Sequence, residues 1–414
     1  MIEFNRLCRI MIKDMKTRIS KLNIDFDFED YWEIIYLILL AFFVGMRFLL
    51  STMFTIYWPK YFYRTLTVIG VVLVLLHLMM AKDISKKEIA AMLVVTFVFM
   101  MSHYVSGYDF LVDLLILILG AYRVNFRNIL KTYIAVWSVL LVVTIIGAMT
   151  GLAENLVYYQ GERVRMALGI CYPTDLAAYV ASLIFTYVCV RDEYITYLEI
   201  GVMIVLAMAV YYITDARTDF VITLILVCLT MCMKLFLQKC GCFLKKCVKI
   251  NAFSVPIVCC IISWVFTLLY NDKSKILVKM NEGFLSTRLS LGKNAIDNYG
   301  IRAFGQYIIE HGLGGSTEWP EFYNFIDCSY ISLTLKYGIV VLITILIIIE
   351  KNIYRAYKKN DYMVILVLEI VCLQSIMEHH MIQYWYNPYI ITLFCYWIKK
   401  NSVEENNDMI VNLN

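Results

Sequence analysis

The sequence predicts an all-α polytopic membrane protein with about twelve transmembrane helices, and three observations carry that prediction. Of 414 residues, 61% are apolar and only 17% are charged, against roughly 45–50% and 25% in a soluble globular chain. Apolar windows of about 20 residues, long enough to cross a hydrocarbon core, recur along the chain. Lysine and arginine concentrate in alternate loops between those windows. The mean hydropathy of +0.70 excludes a soluble enzyme on a single anchor. A net charge of only +4, with the basic residues scattered, excludes nucleic acid as a partner.

Residues 1–30 read as a cytosolic amphipathic segment. Arg6, Arg9, Lys13, Lys16, Arg18 and Lys21 interleave with Leu7, Ile10, Met11, Met15 and Ile19, the pattern of a helix lying on a membrane surface. The segment lacks the short apolar core and cleavage site of a secretory leader. Apolar windows then centre on residues 32–50, 61–81, 89–104, 108–122, 129–150, 173–190, 194–213, 216–237, 252–270, 328–350, 362–379 and 384–398. A tight turn at Thr214 to Arg217 separates the seventh from the eighth. Residues 31–398 therefore form one transmembrane domain, and 399–414 a disordered cytosolic tail.

Charge orients the chain. With the N-terminus in the cytoplasm, the inside segments collect Lys82, Lys86 and Lys87, then Arg123, Arg127 and Lys131, then Arg191. Lys234, Lys239, Lys245, Lys246 and Lys249 follow, then Lys351, Arg355, Lys358 and Lys359, and last Lys399 and Lys400. With the N-terminal six these are the greater part of the 37 basic residues, so both termini are assigned to the cytoplasm. Most of the 13 cysteines, among them Cys189, Cys228, Cys259 and Cys372, lie in apolar windows and act as small hydrophobes. Cys240, Cys242 and Cys247 lack a fourth ligand for a zinc knuckle and read as a reduced cytosolic loop.

One connection is far longer than the rest. Residues 271–327 form an extracytoplasmic loop between the ninth and tenth helices, and loops of that length are usually functional. Phe284, Arg288, Leu291 and Ala295 recur at helical spacing, as do Ile301, Phe304 and Ile308. Two amphipathic helices are predicted there.

Ionisable residues at membrane depth cost free energy and so mark candidate sites. The densest set is Asp215, Arg217 and Asp219 at the start of the eighth helix. A second is Arg163 and Arg165, followed by Gly169 and by Pro173 at a helix start. Arg288 and Arg302, with Lys293 between them, form a third in the long loop. Acids at a helix N-terminus are ordinary pairing with its dipole. Three groups of arginine on the side that should be poor in positive charge suggest a polyanion site, because guanidinium grips phosphate in a bidentate way. Glu310-His311-Gly312-Leu313-Gly314-Gly315 lacks the lysine and hydroxyl of a phosphate loop, so its glycines read as turn residues. The adjacent His379 and His380, as metal ligands or a base, would point to different faces of a helix, and are read as surface residues at the membrane boundary. His77 and His103 read as packed or interfacial. No serine elbow, zinc helix motif or Walker loop is present.

The order of these parts resembles that of the O-antigen and capsular polysaccharide polymerases (Wzy type), with the O-antigen ligases as relatives. Arg165-Met166-Ala167-Leu168-Gly169 running into Pro173-Thr174-Asp175-Leu176-Ala177 is similar to their lead into a helix. Ala216-Arg217-Thr218 resembles their helix start. Gly312-Leu313-Gly314, Asp327-Cys328-Ser329-Tyr330 and Tyr337-Gly338-Ile339 resemble the layout before their tenth helix. The likeness covers about residues 150–345, and its weight comes from the order of short motifs. Ligases commonly carry a histidine-asparagine pair where Asp327-Cys328 stands here, which favours a polymerase.

The resemblance implies a multi-pass protein of the bacterial cytoplasmic (inner) membrane, with its active site on the extracytoplasmic side. It would join undecaprenyl-diphosphate-linked oligosaccharide repeat units, as donor and acceptor, into capsule, exopolysaccharide or O-antigen. A sugar hydroxyl attacks the anomeric carbon of the growing chain and the lipid diphosphate leaves. Partners would include the bilayer, a chain-length regulator and a flippase of the same pathway. Arg165, Arg217 and Arg288, with Arg163 and Arg302, would hold the diphosphate with no metal or cofactor, and Asp327 or His311 would activate the acceptor hydroxyl. The rival expectations are an O-antigen-ligase-like transferase, which shares the donor site, and a lipid-linked oligosaccharide flippase, whose related halves are not found here. A metal-dependent glycosyltransferase would need paired acids on an early outside loop, whereas Asp25-Phe26-Asp27 falls on the cytosolic side.

Overall fold

A computed structural model describes residues 28–56, 61–236, 253–283, 285–318 and 320–397. The N-terminal amphipathic segment up to residue 27, the Cys240, Cys242 and Cys247 cluster, Phe284 and the C-terminal tail lie outside the described residues. The protein is a helical membrane protein. Among the described residues, seven helices are long and apolar enough to cross a bilayer. These are α1 (Phe28–Leu50), α2 (Phe62–Met80), α3 (Lys86–Ser106), α5 (Phe126–Thr150), α6 (Pro173–Arg191), α7 (Tyr197–Thr214) and α8 (Arg217–Phe236). Three shorter apolar helices accompany them: α4 (Phe110–Gly120), α9 (Val255–Leu269) and, near the end of the chain, α14 (Tyr362–Gln374).

Each helix starts and stops where local chemistry directs. Ser85 and Thr196 close capping boxes with Glu88 and Glu199 at the starts of α3 and α7. Gly107 and Gly151 end α3 and α5 in the left-handed conformation. Outward faces stay apolar, as with Val68, Val72 and Leu75 on α2 and Val139, Val142 and Ile146 on α5, which fits lipid rather than water. The centre is dense with aromatic side chains: Trp32, Tyr36, Tyr133, Trp137, Tyr179, Tyr330, Tyr384 and Tyr389 are almost fully buried. Their polar ends find partners, as when Trp32 Nε1–H donates to the Gly120 carbonyl (3.0 Å) and the Tyr36 hydroxyl to Leu117 (2.9 Å). An ion pair links two of these helices. Arg47 of α1 donates to Asp113 of α4 at 2.9 Å, and Tyr63 and Thr67 hydroxyls donate to the same carboxylate. At the opposite end Arg127 ties α5 to Asp192 (3.3 Å) and Asp361 (3.2 Å).

The last three windows depart from simple spans. Between the ninth and tenth lie α10 (Lys275–Glu282) and α11 (Arg288–Tyr299). The second amphipathic helix predicted for Ile301, Phe304 and Ile308 does not form. Gly300 ends α11, and the following backbone instead docks on a break in the tenth helix. The Arg302 and Ala303 carbonyls accept from the Ile339 and Val340 amides (both 3.2 Å), and the Gln306 amide donates to Lys336 (3.1 Å). The tenth window is thus two pieces: α12, which runs Ser329–Ser332 and continues as a π-helical turn over Leu333–Tyr337, and α13 (Ile339–Lys359). Lys336-Tyr337-Gly338 sits at that break rather than inside a continuous helix. The eleventh window ends at Gln374, five residues short of its predicted limit of 379. The twelfth forms only a short buried 3-10 stretch, Pro388–Phe394, introduced by Pro388 and the Asn387 cap.

Neither α10 nor the next element was foreseen. β1 (Val157–Gln160) and β2 (Arg163–Met166) form an antiparallel hairpin that pairs Tyr158 with Arg165 and Gln160 with Arg163. It lies at the same end of the bundle as the long loop. The Tyr158 hydroxyl donates to the carbonyls of Cys171 (2.9 Å) and Leu313 (3.0 Å), and the Gly315 amide donates to Cys171 (2.9 Å). Gly314 and Gly315 are therefore turn residues where the loop meets the hairpin.

Candidate active site

Polar groups from six segments meet at the hairpin end of the bundle. The first is the turn between α7 and α8. Asp215 caps α7 in a left-handed conformation, and β2 runs beside it. Arg163 pairs with the Asp215 carboxylate and donates to its carbonyl (2.9 Å). Arg165, only 5% exposed, donates to the Thr214 carbonyl (2.8 Å) and, more weakly, to the Tyr172 hydroxyl (3.3 Å). Arg217 reaches Asp215 at 3.5 Å with a side chain 68% exposed. The Arg163 and Arg217 guanidiniums beside Asp215 hold its carboxyl below the usual range, against partial burial.

One turn into α8, Asp219 is buried and accepts from the Gln374 amide of α14 at 2.7 Å. Its second oxygen has no hydrogen-bond partner. The charges of Arg288 and Arg165 both reach it. Arg288 is the first residue of α11. It donates to the Met377 carbonyl (2.6 Å), pairs with Glu378 (3.3 Å) and lies 3.8 Å from Asp327. Asp327 feels Arg288 and Glu310 directly. Burial lifts its carboxyl above the ordinary range, Arg288 opposes that lift and Glu310 adds to it. Glu310 is itself bound to Lys336 at 2.5 Å.

The segment after α14 completes the cluster. His379 and His380 were expected at the surface on different helix faces, but the helix has already ended. His380 opens a 3-10 turn and is buried, while His379 is half-buried. His380 Nδ1 lies 2.9 Å from Gln383 Oε1, and its Nε2 faces Asp175 of α6 at 3.9 Å. A cavity of about 20 Å³ lies beside them, lined by Gln374, Glu378, His380, Tyr386 and Asn387 among others, room for one water-sized occupant. A second, larger cavity of about 310 Å³ has an apolar lining. It includes Ile222 of α8, Phe266 of α9, Met280 of α10, Leu289 of α11 and Ile376, and Arg288 stands on its wall.

Four of the five arginines singled out in the sequence thus gather round the start of α8: Arg163 and Arg217 on Asp215, Arg165 and Arg288 around Asp219. Arg302 is exposed, and its carbonyl serves the helix break. The His311 side chain is exposed, and its backbone pairs with Asn324 on both sides. Of the two candidate bases, only Asp327 lies against a candidate arginine.

No protein-family model, curated protein or solved structure matches this chain. The site is therefore read from its own geometry.

That geometry adds residues the sequence reading did not weigh. Asp175 stands in the first turn of α6, where an acid reads as ordinary dipole pairing. Gln374 and Glu378 come from α14 and the segment after it, more than 150 residues from Asp219. A signal existed for the histidines alone. Two adjacent imidazoles after a glutamate is an unusual cost at membrane depth.

Proposed function

We propose that this protein is a polysaccharide polymerase that joins undecaprenyl-diphosphate-linked oligosaccharide units at the outer face of a bacterial cytoplasmic membrane. The observation that carries this reading is Arg288. It stands on the wall of an apolar cavity of about 310 Å³ while its guanidinium lies 3.8 Å from the Asp327 carboxylate. Such a cavity suits the part of a lipid next to its headgroup, and a guanidinium suits the diphosphate that follows. Arg165 and Arg288 add positive charge where the leaving diphosphate develops negative charge in the transition state. Asp327 accepts the proton of the acceptor hydroxyl as that oxygen attacks the anomeric carbon, and the bond from that carbon to the diphosphate oxygen breaks. Asp327 is preferred to His311 because it faces the arginine and His311 does not. The ligase reading uses the same donor site and is less favoured, because a carboxylate stands at the position of the ligase histidine. The outer-face assignment rests on the basic residues at the opposite end, including Lys86, Arg127, Arg191 and Lys351.

The test is genetic and chemical. In cells carrying only Arg288→Ala, long polymer should fall by about 10²–10³ in rate, the cost of one lost charge-stabilising donor, and single lipid-linked units should accumulate. Arg302→Ala, whose side chain is exposed, should keep a normal ladder. A normal ladder from Arg288→Ala, at wild-type abundance in the membrane, overturns the proposal.

A further inference from the structure

We propose that Asp175, His379 and His380 hold a divalent first-row transition metal ion. One ligand atom from each lies within 4.8 Å of the other two. The 3.9 Å between His380 Nε2 and an Asp175 oxygen is too long for a hydrogen bond of about 2.7–3.2 Å. It is shorter than two metal–ligand bonds of about 2.0–2.1 Å laid end to end. An ion between the two atoms needs only a small inward movement.

Two further observations point to a ligand. His380 is 7% exposed, yet its Nε2 has no hydrogen-bond partner, and neither has the buried Nδ1 of His379. Unpaired buried ring nitrogens are costly, and an ion on His380 Nε2 would satisfy it. The other side of His380 is prepared: its Nδ1–H donates to Gln383 Oε1 at 2.9 Å, leaving the Nε2 lone pair free, 3.9 Å from an Asp175 oxygen. That is the arrangement in which an outer acceptor fixes the tautomer of a metal-binding imidazole. The rings are also held in place. His380 stacks on Tyr386 with centroids 4.0 Å apart, and His379 packs edge-on against Phe325 of the long loop at 4.9 Å.

Charge supports the same assignment. The cluster carries Asp175, Asp219, Asp327 and Glu378 against Arg165 and Arg288, whose fields reach one another. A dication would sit among more acidic than basic side chains. Two imidazoles and one carboxylate leave a coordination position free for water or an anionic oxygen, the pattern of zinc and non-haem iron(II) sites. This site departs from the expectation of a metal-free chain. It stands independently of the polymerase reading, because its readout is metal content.

The experiment uses the full-length chain, freed of purification tags and reconstituted in lipid nanodiscs. After chelator treatment it is loaded separately with Zn²⁺, Fe²⁺ and Co²⁺, and bound metal is measured by mass spectrometry. We expect about one ion per chain, with Co²⁺ giving intense visible bands of a low-coordinate nitrogen and oxygen site. Asp175→Asn and His380→Ala should each lose the ion. Gln383→Ala, which keeps all three ligands, should weaken binding by about 10–100-fold. Arg217→Ala, and a chain with Cys240→Ser, Cys242→Ser and Cys247→Ser together, should bind as the wild type does. No stoichiometric metal in the wild type, or equal metal in Gln383→Ala and His380→Ala, overturns the proposal.

Discussion

Asp327 shows how a single residue's surroundings set its chemistry. A free aspartate titrates near 3.9, and here burial moves Asp327 upward while Arg288 restrains it. The groups that face it are Arg288, Glu310, Tyr323, Asp175 and Glu378. If Asp327 takes the acceptor proton it must be ionised, so polymerisation should fall as pH drops through its raised value. The acid limb of the pH–rate profile should therefore lie above the usual carboxylate range. Glu310→Gln removes a negative charge and leaves Lys336 unpaired, and both changes favour the ionised carboxylate. The limb should then move to lower pH, as read by the rate of chain growth in nanodiscs. A limb that stays in place, or moves up, would show that another group sets it. Asp327→Asn should lower the rate by about 10²–10⁴ with folding intact. The identity of this residue was legible in the sequence, but its partner was not.

At the scale of elements, the break between α12 and α13 matters most. Gly338 has φ of +101° and Gly305 has φ of +81°, conformations that residues with a Cβ rarely adopt. Each packs so closely on the other segment that a Cβ at Gly305 would strike the Lys336 carbonyl, and one at Gly338 the Ala303 carbonyl. The loop backbone thereby satisfies amides that the helix break leaves free. It also anchors the segment that carries Glu310, the partner of Lys336. Gly338→Ala should destabilise the protein by more than about 1 kcal/mol, since both the backbone angle and the close approach oppose it. Thermal unfolding in detergent would measure this, and a melting temperature equal to wild type would refute the close packing. The apolar spacing of Ile301, Phe304 and Ile308 pointed to a helix here. Spacing counts side chains only, whereas this segment is decided by where its backbone hydrogen bonds go. The hairpin was missed for a related reason: four-residue strands show too little alternation to separate from a loop.

At the scale of the molecule, the helices put basic residues at one end and the polar cluster, hairpin and long loop at the other. Single cysteines introduced at exposed loop positions such as Ile276, Tyr307 and Phe322 should react with a membrane-impermeant thiol reagent in intact cells. Labelling only after permeabilisation would invert the orientation and remove the lipid donor from the proposed site. The first nine apolar windows each coincide with an apolar helix, because length and hydropathy are local properties that a bilayer reads directly. The later windows differ where short apolar runs serve burial within the protein: Pro388–Phe394 is buried throughout.

From the sequence alone came the membrane class, the position of the first helices, the long loop and the arginine-rich side. All of these depend on residues close together in the chain. Only the tertiary structure decided that Asp219, Gln374, Arg288, Asp327 and Glu378 share one cluster, that Arg302 and His311 stand apart, and that His380 faces Asp175. Those pairings join residues as much as 205 positions apart (Asp175 to His380), and no local pattern records them. They follow from the packing of α6, α8, α11 and α14, which brings costly polar groups together so that each finds a partner away from lipid.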